Sequence, residues 1–189
     1  MQIFTIGHSN LLFDEFLSLL KEFEIRVVAD IRRYPWSRKF PHFNQEIMRG
    51  LLEAEGIEYV WFECLGGRRG AEKNSKSLNT ALRSTAFRNY ADYMGTNEFR
   101  ESVRELMSRA GTSRTAIMCA EKLFWRCHRR LLSDYLVAQG VEIKHIVEAG
   151  KLQPHSLSSG AVIIADREVI YPLQKTGDKP DSETFLFER

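Results

Sequence analysis

The sequence predicts a three-layer α/β protein with a mostly parallel, open sheet, Rossmann-like or flavodoxin-like, and a small β appendage at its C-terminal end. Two features lead there. Short apolar runs of strand character alternate with stretches whose apolar residues recur at helical spacing, the pattern of strand–helix–strand units. The clearest run, Arg26 to Ile31 (RVVADI), is apolar at most positions, as a strand buried on both faces should be. A chain of 189 residues suits one α/β domain, placed at residues 1–150, with an extension over residues 151–189.

Gln2 to Ile6 reads as the first strand. Ser9 and Asn10 are natural caps for a helix carrying Phe13, Phe16, Leu17 and Leu20 at helical spacing. After the second strand, Pro35 and Pro41 exclude regular structure from the loop 32–43. Asn44 is placed as the cap of a helix running through Glu55, with Ile47, Leu51 and Leu52 inward and Gly56 ending it. Ile57 to Phe62 makes the third strand, and Leu65 to Thr80 (LGGRRGAEKNSKSLNT) is a long loop. Helices are expected over 81–94 and 98–110; Val103, Leu106, Met107 and Ala110 form the inward stripe of the second. Thr115 to Met118 is the fourth strand, which leads through Cys119-Ala120-Glu121 into a helix carrying Cys127-His128-Arg129-Arg130 in its first half. Val141 to Val147 is the fifth. In the extension, Ala161–Ile164 and Glu168–Tyr171 are expected to pair as a hairpin around Asp166-Arg167. The polar stretch 174–184 is expected to be mobile and Phe185-Leu186-Phe187 to dock on the body.

A hydrophobic share of 43% and a charged share of 28% are those of a water-soluble globular domain. The net charge of +2 excludes a polycation, but positive charge is clustered: Arg32, Arg33, Arg38 and Lys39; Arg68 and Arg69; Arg126, Arg129 and Arg130. Three cysteines form no disulfide framework. No leader pattern opens the sequence, and no apolar run approaches the roughly 20 residues that cross a bilayer. A cytoplasmic protein with reduced thiols and no membrane association is therefore expected.

In an open parallel sheet, ligands bind outside the carboxyl ends of the strands. Just past the ends of the predicted strands stand His8-Ser9-Asn10, Arg32-Arg33, Gly66-Gly67-Arg68-Arg69, Cys119-Ala120-Glu121 and the stretch from Glu148 to His155. The connections at the opposite edge, such as Lys21 to Glu24 and Gln139-Gly140, are short and bland. This asymmetry points to one shared site.

Eight pieces in fixed order strengthen that view: GHSN (7–10), DIRRYPWSR (30–38), LGGRRG (65–70), FRNYADYM (87–94), CAE (119–121), CHR (127–129), HI (145–146) and GKLQPH (150–155). Together they resemble the prokaryotic domain-of-unknown-function family 488, over about Ile6 to His155. The resemblance implies a small cytoplasmic α/β protein and assigns no reaction. The family has a polar, often proline-bearing turn between the CAE and CHR pieces. Lys122-Leu123-Phe124-Trp125 stands there in this sequence.

Three chemistries fit the residues. Cys119, at a strand end, has the place of a nucleophile whose thiol a helix N-terminus and nearby arginines would acidify. Its distance to Arg126 is one residue longer than the C-x5-R spacing of cysteine phosphatases, and a small buried cysteine is the plain alternative. Zinc held by Cys119, Cys127, His128 and a further histidine is the second, but neighbours on a helix diverge by about 100° and no paired-ligand motif is present. The third is anion or nucleic-acid binding, with Arg32, Arg33 and Arg38 interleaved with Tyr34, Trp36 and Phe40, and with Gly66-Gly67 open to close approach. The alternative there is that the aromatics anchor the loop. Asp30 is expected to pair with Arg32 or cap a turn, His145 to be a core histidine, and Cys64 to be structural.

The favoured expectation is a cleft that binds a phosphorylated small molecule, nucleotide or nucleic acid, in a hydrolase or transferase or in a non-catalytic binding module. Cys119, Glu121, His128 and His8 are the candidate catalytic residues. Asn10, Arg32, Arg38, Gly66, Gly67, Arg68, Arg129 and His155 are the candidate ligand contacts. No particular cofactor or oligomeric state follows from the residues.

Overall fold

The central strands are buried on both faces, and alternate residues along them pack into two apolar layers. The computed structural model describes residues 1–70 and 76–173. Five parallel strands, β1 (Gln2–Gly7), β2 (Val27–Asp30), β3 (Glu58–Trp61), β4 (Thr115–Cys119) and β5 (Glu142–Glu148), are joined at one edge by β6 (Lys151–Pro154), antiparallel to β5. The order across the sheet is β3-β2-β4-β1-β5-β6. Helices α1 (Phe13–Glu22) and α2 (Gln45–Glu53) cover one face, where Phe16, Leu20, Met48 and Leu52 meet Phe4, Ile6, Val28 and Met118. Helices α3 (Thr85–Met94), α4 (Asn97–Thr112) and α5 (Arg129–Ala138) cover the other, where Tyr90, Phe99, Leu131 and Leu132 meet Ile3, Ala29, Ile117 and Ile143. Each of the Val, Leu, Ile, Phe and Met side chains among them, removed from water, contributes about 1.5–3 kcal/mol. The result is the expected three-layer α/β fold.

Strand order positions the site. The crossover from β1 to β2 runs through α1 on one face, and that from β4 to β5 runs through α5 on the other. Because β1 and β4 are neighbours in register, with Gly7 opposite Cys119, the chain leaves their carboxyl ends in opposite directions. A crevice opens at such a switch point.

Several local expectations are corrected. Ser9 and Asn10 do not cap α1. Ser9 has a left-handed φ of 50°, the helix starts after Leu12, and the Glu15 carboxylate accepts the Leu12 N–H at 2.8 Å. Asn44 precedes α2, but its Oδ1 accepts from Ser37 N, bracing the loop rather than the helix. On α2, Met48 and Leu52 turn inward while Ile47 and Leu51 face solvent. Helix α3 begins four residues later than expected, because Ala81 N–H donates to the carbonyl of Tyr171.

Beyond Gly150 the chain stays with the body: β6 extends the main sheet, and the hairpin β7 (Val162–Ile163) and β8 (Val169–Ile170) forms the expected C-terminal β unit. Val169 and Tyr171 are buried in the α3–α5 layer. The stretch 174–184 and Phe185-Leu186-Phe187 lie outside the described residues. Among the described residues, no helix is long and apolar enough to cross a membrane.

Candidate functional site

The floor of the crevice is the paired ends of β1 and β4. His8 N–H donates to the Cys119 carbonyl at 3.0 Å and Ser9 N–H to that of Ala120 at 2.9 Å, so the two strand-end turns run side by side. Gly7 is required there, since a Cβ would run into the carbonyl oxygen of Glu121 and lie 2.8 Å from Arg129 Nη2.

On one side, Asp30 and Arg32 form a buried ion pair. Arg32 Nε lies 2.9 and 3.0 Å from the two Asp30 oxygens and Nη2 is 2.5 Å from Oδ2, while Tyr59 Oη donates to Oδ2 at 2.6 Å. Burial alone would pull the guanidinium down, but the hydrogen bonds and charge of Asp30 outweigh it and hold Arg32 above its ordinary value. Arg32 also fixes His8. Nδ1 of His8 faces the Ser9 carbonyl at 3.0 Å, so it carries the proton, and Nε2 accepts from Arg32 Nη1 at 3.3 Å. Stacked on Phe43 at 4.0 Å, the His8 imidazole is pushed to about 3 by burial and then by the Arg32 charge. It is neutral, with its lone pair engaged by Arg32, and so suits positioning Arg32 more than proton transfer.

On the other side lie the thiols. The chain from Phe124 to Arg126 makes one 3-10 turn, Cys127 is extended, and α5 starts only at Arg129, with His128 in the capping position. Cys127 and His128 therefore escape the divergence expected of neighbours inside a helix. Cys127 Sγ sits 2.8 Å from Cys119 Sγ and 3.4 Å from His128 Nδ1, and accepts the Arg129 backbone N–H at 3.5 Å. His128 Nε2 must carry its proton, because its partner at 3.1 Å is the Ile31 carbonyl, so Nδ1 offers a lone pair to Cys127. Burial lowers His128 below its ordinary value, which keeps the ring neutral. The two cysteines separate in acidity. Burial drives Cys119 well above the usual thiol range, and its hydrogen bond to Cys127 adds to this. Burial opposes ionisation of Cys127 too, but the Cys119 thiol and the Arg129 charge outweigh it and bring Cys127 down to about 7.

Arg129, placed in sequence as an anion contact, lies beneath the cavity rather than on its lining. It is buried, donating from Nη2 to the carbonyls of Glu121 and Lys122 and from Nη1 to Thr5 Oγ1 at 3.3 Å. Thr5 opens a buried polar chain. Its hydroxyl meets His145 Nδ1 at 2.7 Å, His145 Nε2 meets His155 Nδ1 at 2.9 Å, and His155 Nε2 donates to Asp134 Oδ1 at 2.9 Å. Asp134 also takes Ser158 N–H and the Tyr171 hydroxyl. Burial, then His155, hold His145 down at about 3. His155 thus belongs to this interior chain and does not line the cavity.

The cavity above the floor measures about 920 Å³. Its lining includes His8, Asn10, Arg32, Gly67 and Arg68, together with Cys119, Glu121, Cys127 and His128. Arg38 is exposed outside it, and Gly66 lies behind it. The room left by the two glycines is taken by protein, since a Cβ would lie 2.8 Å from Arg33 Cα at Gly66 and 2.9 Å from His128 Nδ1 at Gly67. Six cationic side chains line the cavity (Arg32, Arg33, Lys39, Arg68, Lys122 and Arg126) against one carboxylate, Glu121, among the described residues. Glu121 is exposed at the rim, where its carboxylate accepts the Leu123 N–H. Arg33 is paired with Glu63; Arg68, Lys122 and Arg126 have no ion-pair partner among the described residues. Tyr34 and Trp36 stand on the rim 66% and 65% exposed, while Phe40 packs against the core and anchors the loop.

Sequence reasoning weighed Cys127 only as a zinc ligand and passed over Lys122; it placed Arg126 in a positive cluster but not among the ligand contacts. The signal for them was present in the family piece CHR and in the strand-end position of CAE, but the late start of α5 was not. Among the described residues, no three or more His, Cys, Asp or Glu side chains are arranged to hold a metal ion.

Fold and site together define a doubly wound α/β protein with a cation-lined crevice at the switch point of its sheet. The family model for the domain of unknown function DUF488 matches residues 13–136, most of the chain, and the protein belongs to that family. No curated protein and no solved structure matches it.

Proposed function

We propose that the cleft binds phosphate-bearing ligands, with single-stranded nucleic acid the best fit and a nucleotide its shortest form. The observation that carries this reading is the lining itself: among the described residues, six cations, two of them ion-paired, against one carboxylate, beside two aromatic rings left largely bare to solvent. A rim Trp or Tyr costs apolar hydration unless something stacks on it, and bases stack on such rings while cations track the phosphates. Anisotropy of a fluorescein-labelled oligothymidylate, titrated over a range of salt, tests it. Binding should weaken with salt, log K falling by roughly 0.7 per log unit of salt for each phosphate neutralised. The Arg68→Ala/Arg126→Ala double variant should flatten that slope by roughly 1.4 on the same scale. Trp36→Ala should cost about 1–3 kcal/mol at unchanged slope. Absence of binding to both oligonucleotide and nucleotides at low salt would sink the proposal.

One observation favours a reaction in addition to binding, as in a hydrolase or transferase. Cys127, with His128 Nδ1 and the Arg129 N–H on its sulfur, has the surroundings of an activated thiol, which Cys119 lacks. In that reading Cys127 is the nucleophile, His128 its base, and Glu121 a rim acid.

A further inference from the structure

We infer that Cys119 and Cys127 form a reversible intramolecular disulfide, in which Cys127 is the attacking and Cys119 the resolving sulfur. The two sulfurs are 2.8 Å apart, less than about 1 Å beyond a sulfur–sulfur bond length, and both line the cavity. They reach this distance from rigid supports on either side: β4 is hydrogen-bonded within the sheet, and Cys127 is fixed by the turn before α5. The asymmetry between them is that of a dithiol centre. Cys127 has a neutral imidazole nitrogen at 3.4 Å to take its proton and a backbone N–H on its sulfur; Cys119 has neither, with the Cys127 sulfur at 2.8 Å and the Glu121 carbonyl at 3.9 Å beside it. Arg129, buried beneath them without a carboxylate partner among the described residues, supplies the positive charge that favours a thiolate at Cys127. The third cysteine, Cys64, lies elsewhere against the Glu98 carboxylate, and burial and that carboxylate push its thiol up to about 11.

The oxidant is a hydroperoxide. The Cys127 thiolate attacks its terminal oxygen, the O–O bond breaks, and the leaving oxygen takes up a proton as an alcohol or water. Cys127 is thereby oxidised by two electrons to a sulfenic acid. The Cys119 sulfur then attacks Cys127, the S–S bond forms, the S–O bond breaks, and hydroxide departs as water with the Cys119 proton. A small dithiol reverses the change by thiol–disulfide exchange through Cys127, the less buried of the two cysteines. None of this depends on what the cleft binds.

Mass spectrometry of the native protein, treated with hydrogen peroxide and then alkylated in denaturant, provides the test. In a Cys64→Ser background, alkylation should fall from two sites to none. The protein should be about 2 Da lighter than its reduced form, because disulfide formation removes two hydrogens. Peptide mapping should show a 119–127 link within one chain, and dithiothreitol should restore both sites. In Cys119→Ser, dimedone should trap sulfenic acid on Cys127. At neutral pH the wild-type Cys127 should react at least about tenfold faster than Cys64, since thiolate fraction governs the rate. Two thiols still fully alkylated after peroxide, links between chains only, or dimedone on Cys119 in a Cys127→Ser variant at the rate of Cys127 would each overturn the inference. The wild-type mass and map do not rely on any variant folding.

Discussion

Asp30 shows how one residue can decide the state of a site. Its carboxylate, fully buried, takes hydrogen bonds from the Arg32 side chain and backbone and from Tyr59, so Arg32 is held in the crevice wall and its Nη1 reaches His8. Removing the charge leaves a largely buried guanidinium without an ion-pair partner among the described residues. Asp30→Asn should therefore cost on the order of 3–5 kcal/mol in urea denaturation, whereas Tyr59→Phe, which removes one hydrogen bond, should cost about 1 kcal/mol. Equal costs would show that the ion pair is not what matters there. At this scale the sequence was informative, because Asp30 two residues before Arg32 at a strand end already suggested the pair. It was uninformative about the thiols. Whether two cysteines eight residues apart meet depends on a single 3-10 turn between them, and Phe124-Trp125-Arg126 carries no Gly or Pro to signal one.

Among the elements, α5 has the widest reach. From its middle, Asp134 accepts from His155 Nε2 and Ser158 N, both beyond the end of β6, and from the Tyr171 hydroxyl, just past β8. One buried carboxylate thus ties the C-terminal strands to the body, with Tyr171 N–H donating to Asn79 Oδ1 as a second tie. Asp134→Ala should strand three donors and cost about 3–5 kcal/mol; Tyr171→Phe, losing one donor, should cost about 1–2 kcal/mol. Hydrogen exchange should localise the effect, with amides of 151–171 losing protection before those of β1 and β4. Uniform loss across the sheet would mean the tie is not local. The five parallel strands were legible because buried strands are written as apolar runs. Strand β6 was not, since Lys-Leu-Gln-Pro carries one large apolar side chain and a proline that only a sheet edge tolerates. Nor was the true start of α1, because Ser9 and Asn10 have capping chemistry but stand outside the helix, Ser9 in a left-handed conformation.

For the molecule as a whole, a net charge of +2 conceals an uneven interior. Positive charge gathers at one crevice, while His8 and His145 are buried, and His128 is partly buried, in their neutral forms. The sequence disclosed the crevice through the contrast between the two edges of the sheet, but not that its histidines are neutral. Neutrality results from burial beside Arg32, Arg129 and a second histidine, and that is a matter of packing. It carries a consequence for stability. These imidazoles lie below their ordinary value of 6.5, two of them at about 3, so on acidification the unfolded chain takes up protons that the folded chain refuses. Stability should be flat with respect to these groups above about pH 6.5 and should fall as pH drops from there towards 3. Each imidazole contributes at most about 1.4 kcal/mol per pH unit. Urea midpoints between about pH 6.5 and 5, above most carboxylate titration, isolate the histidines. His145→Gln, whatever it does to stability at neutral pH, should flatten the fall by the share of one proton. A midpoint that holds constant over that window, or an unchanged slope in the variant, would mean that these rings protonate in place and that the buried chain from Thr5 to Asp134 accommodates the charge.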